Sequence, residues 1–315
     1  MASATLAILN AGPHVTVQDA GRPGLLRYGV PASGPMDRLA FAIANAALGN
    51  PPDAPGIEVS LGGLDLECTE GCVTVAIAGG GFAVTLGAER FGSWSVATVQ
   101  AGQQLRIRPG PWGSWTYLAF AGQLRAERWL GSAATHALSG LGGGRLRSGG
   151  VLEIDGAEIR ANRVGRIACP VSARPRHLVR VVLGPQERYF DSATIETLLS
   201  RRFALSDAYD RMGVRLNGPS LRPAATLSMP SEPVVRGSIQ VAGDGVATVL
   251  LADHQTTGGY PKIATMLSGD VDGFAQLRSR DAVSFRAVSP LAAVAAVRTR
   301  GKGRAEAPAP APGST

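Results

Sequence analysis

The stretch WSVATVQAGQQLRIRPGPWGSWTYLAFAG, Trp94–Gly122, carries the reading of this chain. Short runs rich in Val, Ile, Thr and aromatic residues alternate with Ala-Gly, Pro-Gly and Trp-Gly punctuation. Such side chains fit a pleated, half-buried surface, and Gly and Pro supply the turns between strands. CVTVAIAGGGFAVTLGA (Cys72–Ala88) has the same grain, as do HLVRVVLGP (His177–Pro185), GSIQVAGDGVATVLLAD (Gly237–Asp253) and DAVSFRAVS (Asp281–Ser289). The fold is therefore expected to be mainly β, made of hairpins or barrels. Two segments break the pattern. DRLAFAIANAALGN, from Asp37, places Leu39, Ile43, Ala46 or Ala47 and Asn50 near helical spacing, with Gly49 available to end the helix. DSATIETLLSRRF, from Asp191, opens on capping residues and sets Ile195, Leu198 and Leu199 on one face.

At 315 residues, with 45% hydrophobic and 17% charged residues, 41 Gly and 21 Pro, the chain can fill two globular cores. The short basic segment CPVSARPRH (Cys169–His177) separates two β-rich halves. The expected division is a domain over 1–170, a second over 171–298, and an Ala/Pro tail over 299–315 that cannot bury apolar surface and is expected to be unstructured. The net charge of +7 raises the question of nucleic acid. The arginines are scattered singly or in pairs, and no helix-turn-helix, zinc-finger or aromatic RNA-binding signature accompanies them, so no nucleic-acid partner is expected. Three cysteines without framework spacing point to a reducing compartment, and four histidines in separate segments give no metal motif. The N-terminus lacks the basic and apolar regions of a secretion signal. The longest uncharged segment, Gly71–Ala88, is broken by three glycines and suits two strands and a turn better than a membrane span. A cytoplasmic protein with no membrane partner is expected.

Candidate site residues gather in four places. TVQDAGRPGLLRYGVPASGPMD (Thr16–Asp37) packs Asp19, Arg22, Arg27, Ser33 and Asp37 between glycines and prolines, either as a binding loop or as a structural loop with its own ion pairs. Glu58, in GIEVSLGG, is either a site carboxylate or a surface strand residue; the strand pattern favours the surface. LSGLGGGRLRSGG (Leu138–Gly150) has the glycine content to cradle phosphate. Neither a Walker nor a Rossmann pattern occurs, however, so any nucleotide site is of another type. Asp210 and Arg211 adjoin in SDAYDRMGVRLNGP, as a local ion pair or as an anion clamp.

DHQTTGGYPK (Asp253–Lys262) ends on an unusual residue, since of 31 basic residues only Lys262 and Lys302 are lysine. The flanking apolar runs predict a strand-loop-strand hairpin with polar groups at its mouth. A lysine is a compact charge suited to proton transfer and to phosphate or carbonyl oxygen. Arginine-biased codon usage is the alternative explanation.

Five motifs in series, TVQDAGRPGLLRYGVPASGPMD, LGSAAT with its glycine loop, LGPQERYFD, DRMGVRLNGP and DHQTTGGYPKIAT, resemble the allophanate hydrolase subunit 2 family from about Val15 to Phe285. It is also called the biotin-dependent carboxyltransferase family and includes the 5-oxoprolinase C subunit. The resemblance implies two cyclophilin-like β-barrel domains with a few short helices. It implies a partner of the subunit 1 or B-subunit type and, in the 5-oxoprolinase system, a lactam-utilisation type protein that forms the A subunit. Carried over by motif, it implies site roles for Asp19, Arg22, Asp37, Glu58, Asp210, Arg211, Asp253, Gln255, Tyr260 and Lys262. The chain departs from the family at Ala133 and Ala134, where relatives carry arginine and serine, and at Gly150, where they often carry an acid.

Three functions follow from the resemblance. One is a subunit of an ATP-dependent 5-oxoprolinase converting 5-oxoproline to glutamate through a phosphorylated lactam. Lys262 and Arg211 would stabilise phosphoryl charge, Asp210 or Asp253 would act as base, and ATP would bring Mg²⁺. Another is a carboxyltransferase acting on urea or a related amide, with biotin in trans because no biotinyl-lysine hairpin is present. The last is a regulator that docks on its partner subunit without chemistry.

Overall fold

A computed structural model describes residues 2–224 and 229–305. The chain divides into two compact units: one comprises Ser33–Arg174 with the segment up to Arg22, the other Pro23–Ala32 with the chain from Pro175. The mainly β expectation holds in both.

The first unit stacks two sheets. One orders its strands Gln123–Leu124, Val151–Asp155, Ser3–Ala11, Leu64–Glu70, Gln104–Arg108, Ala83–Leu86 and Glu89–Gly92. The other runs Gly165–Arg166, Ser95–Gln100, Cys72–Ala78, Thr116–Phe120, Gly56–Val59 and Thr16–Gln18. Alternation along each strand turns Leu6, Ile8, Leu64, Leu66, Leu105 and Ile107 of the first sheet toward Val73, Val75, Ile77, Leu118 and Phe120 of the second, forming the core. Each such side chain contributes about 2 kcal/mol on burial.

Helix α1 (Arg38–Leu48) covers the other face of the six-stranded sheet, where Phe41 meets Tyr117 edge-on at 5.7 Å. Thr116–Phe120 is consequently buried at all five positions, which explains why it lacks the apolar-polar alternation of a half-exposed strand. The helix begins where Asp37 caps the Ala40 amide and ends at Gly49, whose left-handed φ of 76° lets its amide reach back to Ala46.

The second unit closes a seven-stranded barrel in the order Leu178–Leu183, Lys262–Met266, Ser238–Val241, Ala247–Leu250, Gly213–Asn217, Phe203–Tyr209 and Ala282–Ala287. The final and first strands join in parallel, Leu178 opposite Ser284 through Val181 opposite Ala287. The barrel interior holds Val179, Val181, Leu205, Val214, Leu216, Ile239, Val249, Val283 and Phe285. Helix α2 (Ser192–Ser200) is capped by Asp191, as its sequence predicts. Helix α3 (Ser268–Ala275) is held by Asp270, whose carboxylate takes two bonds from the Arg180 guanidinium and one from the Arg180 amide.

Two expectations are corrected. The strands before and after DHQTTGGYPK do not form a hairpin, because Ser238–Val241 lies between them. The intervening chain instead pairs Thr257–Gly258 with Glu232–Pro233 as a separate ribbon. Helix α4 (Pro290–Ala305) continues through 299–305, where the unstructured tail was expected. Proline at the first helical position followed by an alanine-rich run favours helix there. The rest of that tail, 306–315, lies outside the described residues. Among the described residues no helix is long and apolar enough to cross a membrane.

Candidate functional site

In the first unit, Asp19 and Arg22 grip one loop. Asp19 Oδ1 accepts from Gly21 N at 2.8 Å, Ser132 Oγ at 2.6 Å and Ala134 N at 3.2 Å, while Oδ2 accepts from Ala133 N at 2.6 Å. Arg22 donates to the Trp129 and Ala134 carbonyl oxygens and lies 4.7 Å from the Trp129 ring centre. These bonds occupy the amides of Ala133 and Ala134, and both methyl groups are buried. The segment that departs from the family motif is thus a structural loop here.

The glycine-rich stretch packs on the same loop. Gly143 N donates to Ala133 O at 2.9 Å and Gly140 N to His136 O at 2.9 Å. A Cβ on Gly143 would lie 2.7 Å from Val17 Cβ, and one on Gly142 would overlap the Ala134 carbonyl. Gly142 and Gly143 are thus packed against the protein, whereas Gly140, Gly144 and Gly149 face open space.

Glu58 is not a surface residue. Ile57 and Val59 face the sandwich core, so strand alternation turns Glu58 toward α1, where it is fully buried. Its Oε2 accepts from Met36 N at 2.7 Å and from Tyr117 Oη at 2.9 Å, and Tyr117 Oη accepts from Asp37 N at 2.7 Å. Asp37 and Glu58 therefore build the start of the helix. Tyr117 was not singled out in the sequence, although a buried tyrosine requires a polar partner. Burial, and then the nearby Glu58 and Asp37 carboxylates, push its phenol well above the usual range, so it stays a protonated donor.

In the second unit, Arg211 and Asp253 face each other as a buried fork, Nε to Oδ2 at 2.8 Å and Nη2 to Oδ1 at 3.0 Å. Asp253 N also donates to Arg211 O at 2.8 Å. Lys262 is only 3% exposed. Its Nζ donates to Pro233 O at 3.3 Å and lies 3.6 Å from Glu232 Oε2, and its amide donates to Gln186 Oε1 at 2.8 Å. The lysine thus fastens the Glu232–Pro233 ribbon to the barrel instead of standing at a hairpin mouth.

Asp210, Gln255 and Tyr260 come together on a groove of ≈ 440 Å³ on the outer face of the barrel, whereas Lys262, Arg211 and Asp253 do not line it. Its floor is a cross-strand row, Arg215 beside Thr248 beside Gln240, set on the side opposite Val214, Val249 and Ile239. Gln255 Nε2 donates to Gln240 Oε1 at 3.1 Å, and Gln240 Nε2 to Tyr260 O at 3.4 Å. Arg215, Thr248 and Gln240 were missed in the sequence. They fall on three strands, and only register brings them together. The groove offers a cation, carboxylates, amides and hydroxyls open to solvent, which suits a small polar ligand. Among the described residues no group of three or more His, Cys, Asp or Glu is placed to hold a metal ion.

The chain matches the family described as carboxyltransferase domain, subdomain A and B, over residues 28–287. It is 33% identical to the 5-oxoprolinase C subunit of Haemophilus influenzae over 90% of this chain and 91% of that one. It is 30% identical to the urea amidolyase of Lachancea kluyveri over 90% of this chain, which corresponds to 17% of that longer protein. Among solved structures, the Kluyveromyces lactis urea carboxylase superposes with a TM-score of 0.86 at 26% identity, covering 96% of this chain and 29% of that one.

Proposed function

The chain belongs to the carboxyltransferase-domain family, subdomains A and B, and from that premise we propose that it is the C-type subunit of an ATP-dependent 5-oxoprolinase that opens 5-oxoproline to glutamate. The observation that carries this reading is one of extent. The chain and the H. influenzae protein correspond over 90% and 91% of their lengths, whereas only a fraction of urea amidolyase is represented.

A lactam carbonyl is a poor electrophile, and ATP brings to such a reaction the phosphoryl group that opens it to water. In the glycine-rich loop of this chain Gly142 packs on Ala134 and Gly143 on Val17. We assign ATP and Mg²⁺ to a partner of the B-subunit or lactam-utilisation type, since neither a Walker nor a Rossmann pattern occurs in this sequence. This chain would hold the lactam in the barrel groove. There the Gln255 side chain offers an amide to pair with the ring amide, and Asp210 offers a carboxylate to accept a proton from water. Arg211, Asp253 and Lys262 act one step back, fixing the loop and ribbon that shape the groove.

The test is ADP release by the chain mixed with its candidate partner proteins, with and without 5-oxoproline. Stimulation that requires every component is expected; a stable complex without stimulation would sink the proposal. The urea amidolyase relatives favour a second reading, carboxyl transfer to urea or a related amide from biotin supplied in trans. A streptavidin blot of the natively purified complex would detect the required biotinyl partner.

A further inference from the structure

Arg215 differs from two other arginines of its unit, Arg180 and Arg211, in having no carboxylate partner. Arg180 reaches Asp270 at 2.7 Å and Arg211 reaches Asp253 at 2.8 Å, so each has a carboxylate on a neighbouring element. Arg215, in the middle of Gly213–Asn217, is exposed and takes part in no ion pair or side-chain hydrogen bond among the described residues. Arg215 stands at the end of the groove-floor row, beside Thr248 and one strand further from Gln240, and no carboxylate is within ion-pair distance of it among the described residues.

The other polar groups of the groove are partly committed. Asp210 Oδ1 accepts from Met212 N at 2.8 Å and Gly213 N at 3.1 Å, and Asp244 Oδ1 accepts from Val246 N at 2.9 Å, so both acids are tied to their own turns. Gln240 spends its amide on Gln255 and on the Tyr260 carbonyl, which fixes Gln255 over the row. Gln255 keeps its carbonyl oxygen and second N–H for a ligand. Together these groups describe a small molecule with a carboxylate at one end and an amide at the other. A guanidinium takes a carboxylate through two parallel bonds, and a glutamine side chain presents the donor and acceptor that a lactam N–H and C=O require.

We infer that Arg215 recognises the carboxylate of a small lactam acid bound in the barrel groove, and that this contact separates such acids from neutral amides such as urea. The identity of the acid rests on the 5-oxoprolinase reading; the recognition itself is a binding event of this chain. Arg215 is a specificity residue, with the reacting carbonyl held elsewhere in the groove.

Two measurements test it. Calorimetric titration of the full chain uses 5-oxoproline and, separately, the neutral analogue 2-pyrrolidone, with wild type, Arg215→Gln and Arg215→Lys. The assembled complex is assayed in parallel, with 5-oxoproline as the varied substrate, to obtain KM. Loss of one charge-assisted fork should weaken 5-oxoproline binding about tenfold or more in Arg215→Gln and raise KM by a similar factor. Binding of 2-pyrrolidone should be unchanged, and Arg215→Lys should recover part of the loss because the charge stays while the fork goes. Equal 5-oxoproline affinity in wild type and Arg215→Gln, or no wild-type binding together with an unchanged KM in the variant, overturns the inference. A complex inactive on 5-oxoproline, built from a chain that binds it through Arg215, keeps the inference and removes the 5-oxoprolinase reading. An active complex whose KM ignores Arg215→Gln does the reverse.

Discussion

Asp210 and Arg211 are adjacent in the chain and do different work. Asp210 is exposed on the groove, with one oxygen tied to its turn; Arg211 is buried against Asp253. Asp210→Asn keeps the oxygen that accepts from Met212 and Gly213 but removes the charge. We expect kcat of the assembled complex to fall on the order of a hundredfold with little change in melting temperature, if this carboxylate moves a proton. Retained kcat would exclude it as the base. Arg211→Lys keeps the charge and loses the fork. It should cost about 2–4 kcal/mol in urea denaturation, since a disrupted buried pair leaves a carboxylate poorly matched. A cost below about 0.5 kcal/mol, the level of an ordinary surface change, would mean that Asp253 is satisfied by other groups. The sequence drew attention to the whole cluster because charge and glycine stood together. It could not say which member faces solvent, because Arg211, Asp253 and Lys262 are withdrawn from the groove by contacts more than twenty residues away.

Elements were legible where their ends carry their own chemistry. Helices α1 and α2 begin on Asp37 and Asp191, whose side chains cap the amides three residues on. Helix α3 was missed because SGDVDGFA contains two glycines and its N-cap, Leu267, has no capping side chain. Its anchor is tertiary: burial pushes the Asp270 carboxyl up, and the Arg180 guanidinium and amide, with Arg176, outweigh burial and hold it below the ordinary carboxylate range. A carboxyl so depressed contributes stability above its unfolded pKa, and that contribution is lost as pH falls through the folded value. Arg180→Gln removes the main opposing partner. The variant should lose on the order of 2–3 kcal/mol near neutral pH, and its acid unfolding should begin at higher pH than in wild type. Circular dichroism against pH measures both, and superimposable curves would refute the anchor. The failed hairpin has a similar origin. Periodicity marked both strands correctly, but which strand lies beside which is set by the inserted Ser238–Val241.

At the scale of the molecule, the mainly β character was readable from composition and punctuation alone; of the candidate site, Asp210, Gln255 and Tyr260 were named from the sequence, while the floor was not. That floor takes one residue from each of three strands, and no local pattern encodes that register. The same distance between sequence and space governs how the second unit can form. Its first strand, Leu178–Leu183, finds one of its two neighbours only in its last, Ala282–Ala287. During synthesis, then, the nascent chain must emerge beyond Ala287 before the barrel can shut. Until that moment it presents two open sheet edges to the crowded cell. A chain ending at Asp281 should therefore accumulate in the insoluble fraction or be cleared by proteases, while one ending at Ser289 should not. A soluble, protease-resistant product from the shorter chain would show that the barrel tolerates an open seam. For the ribosome, the last six strand residues act as a licence: an interrupted message leaves a half-made barrel for quality control to remove.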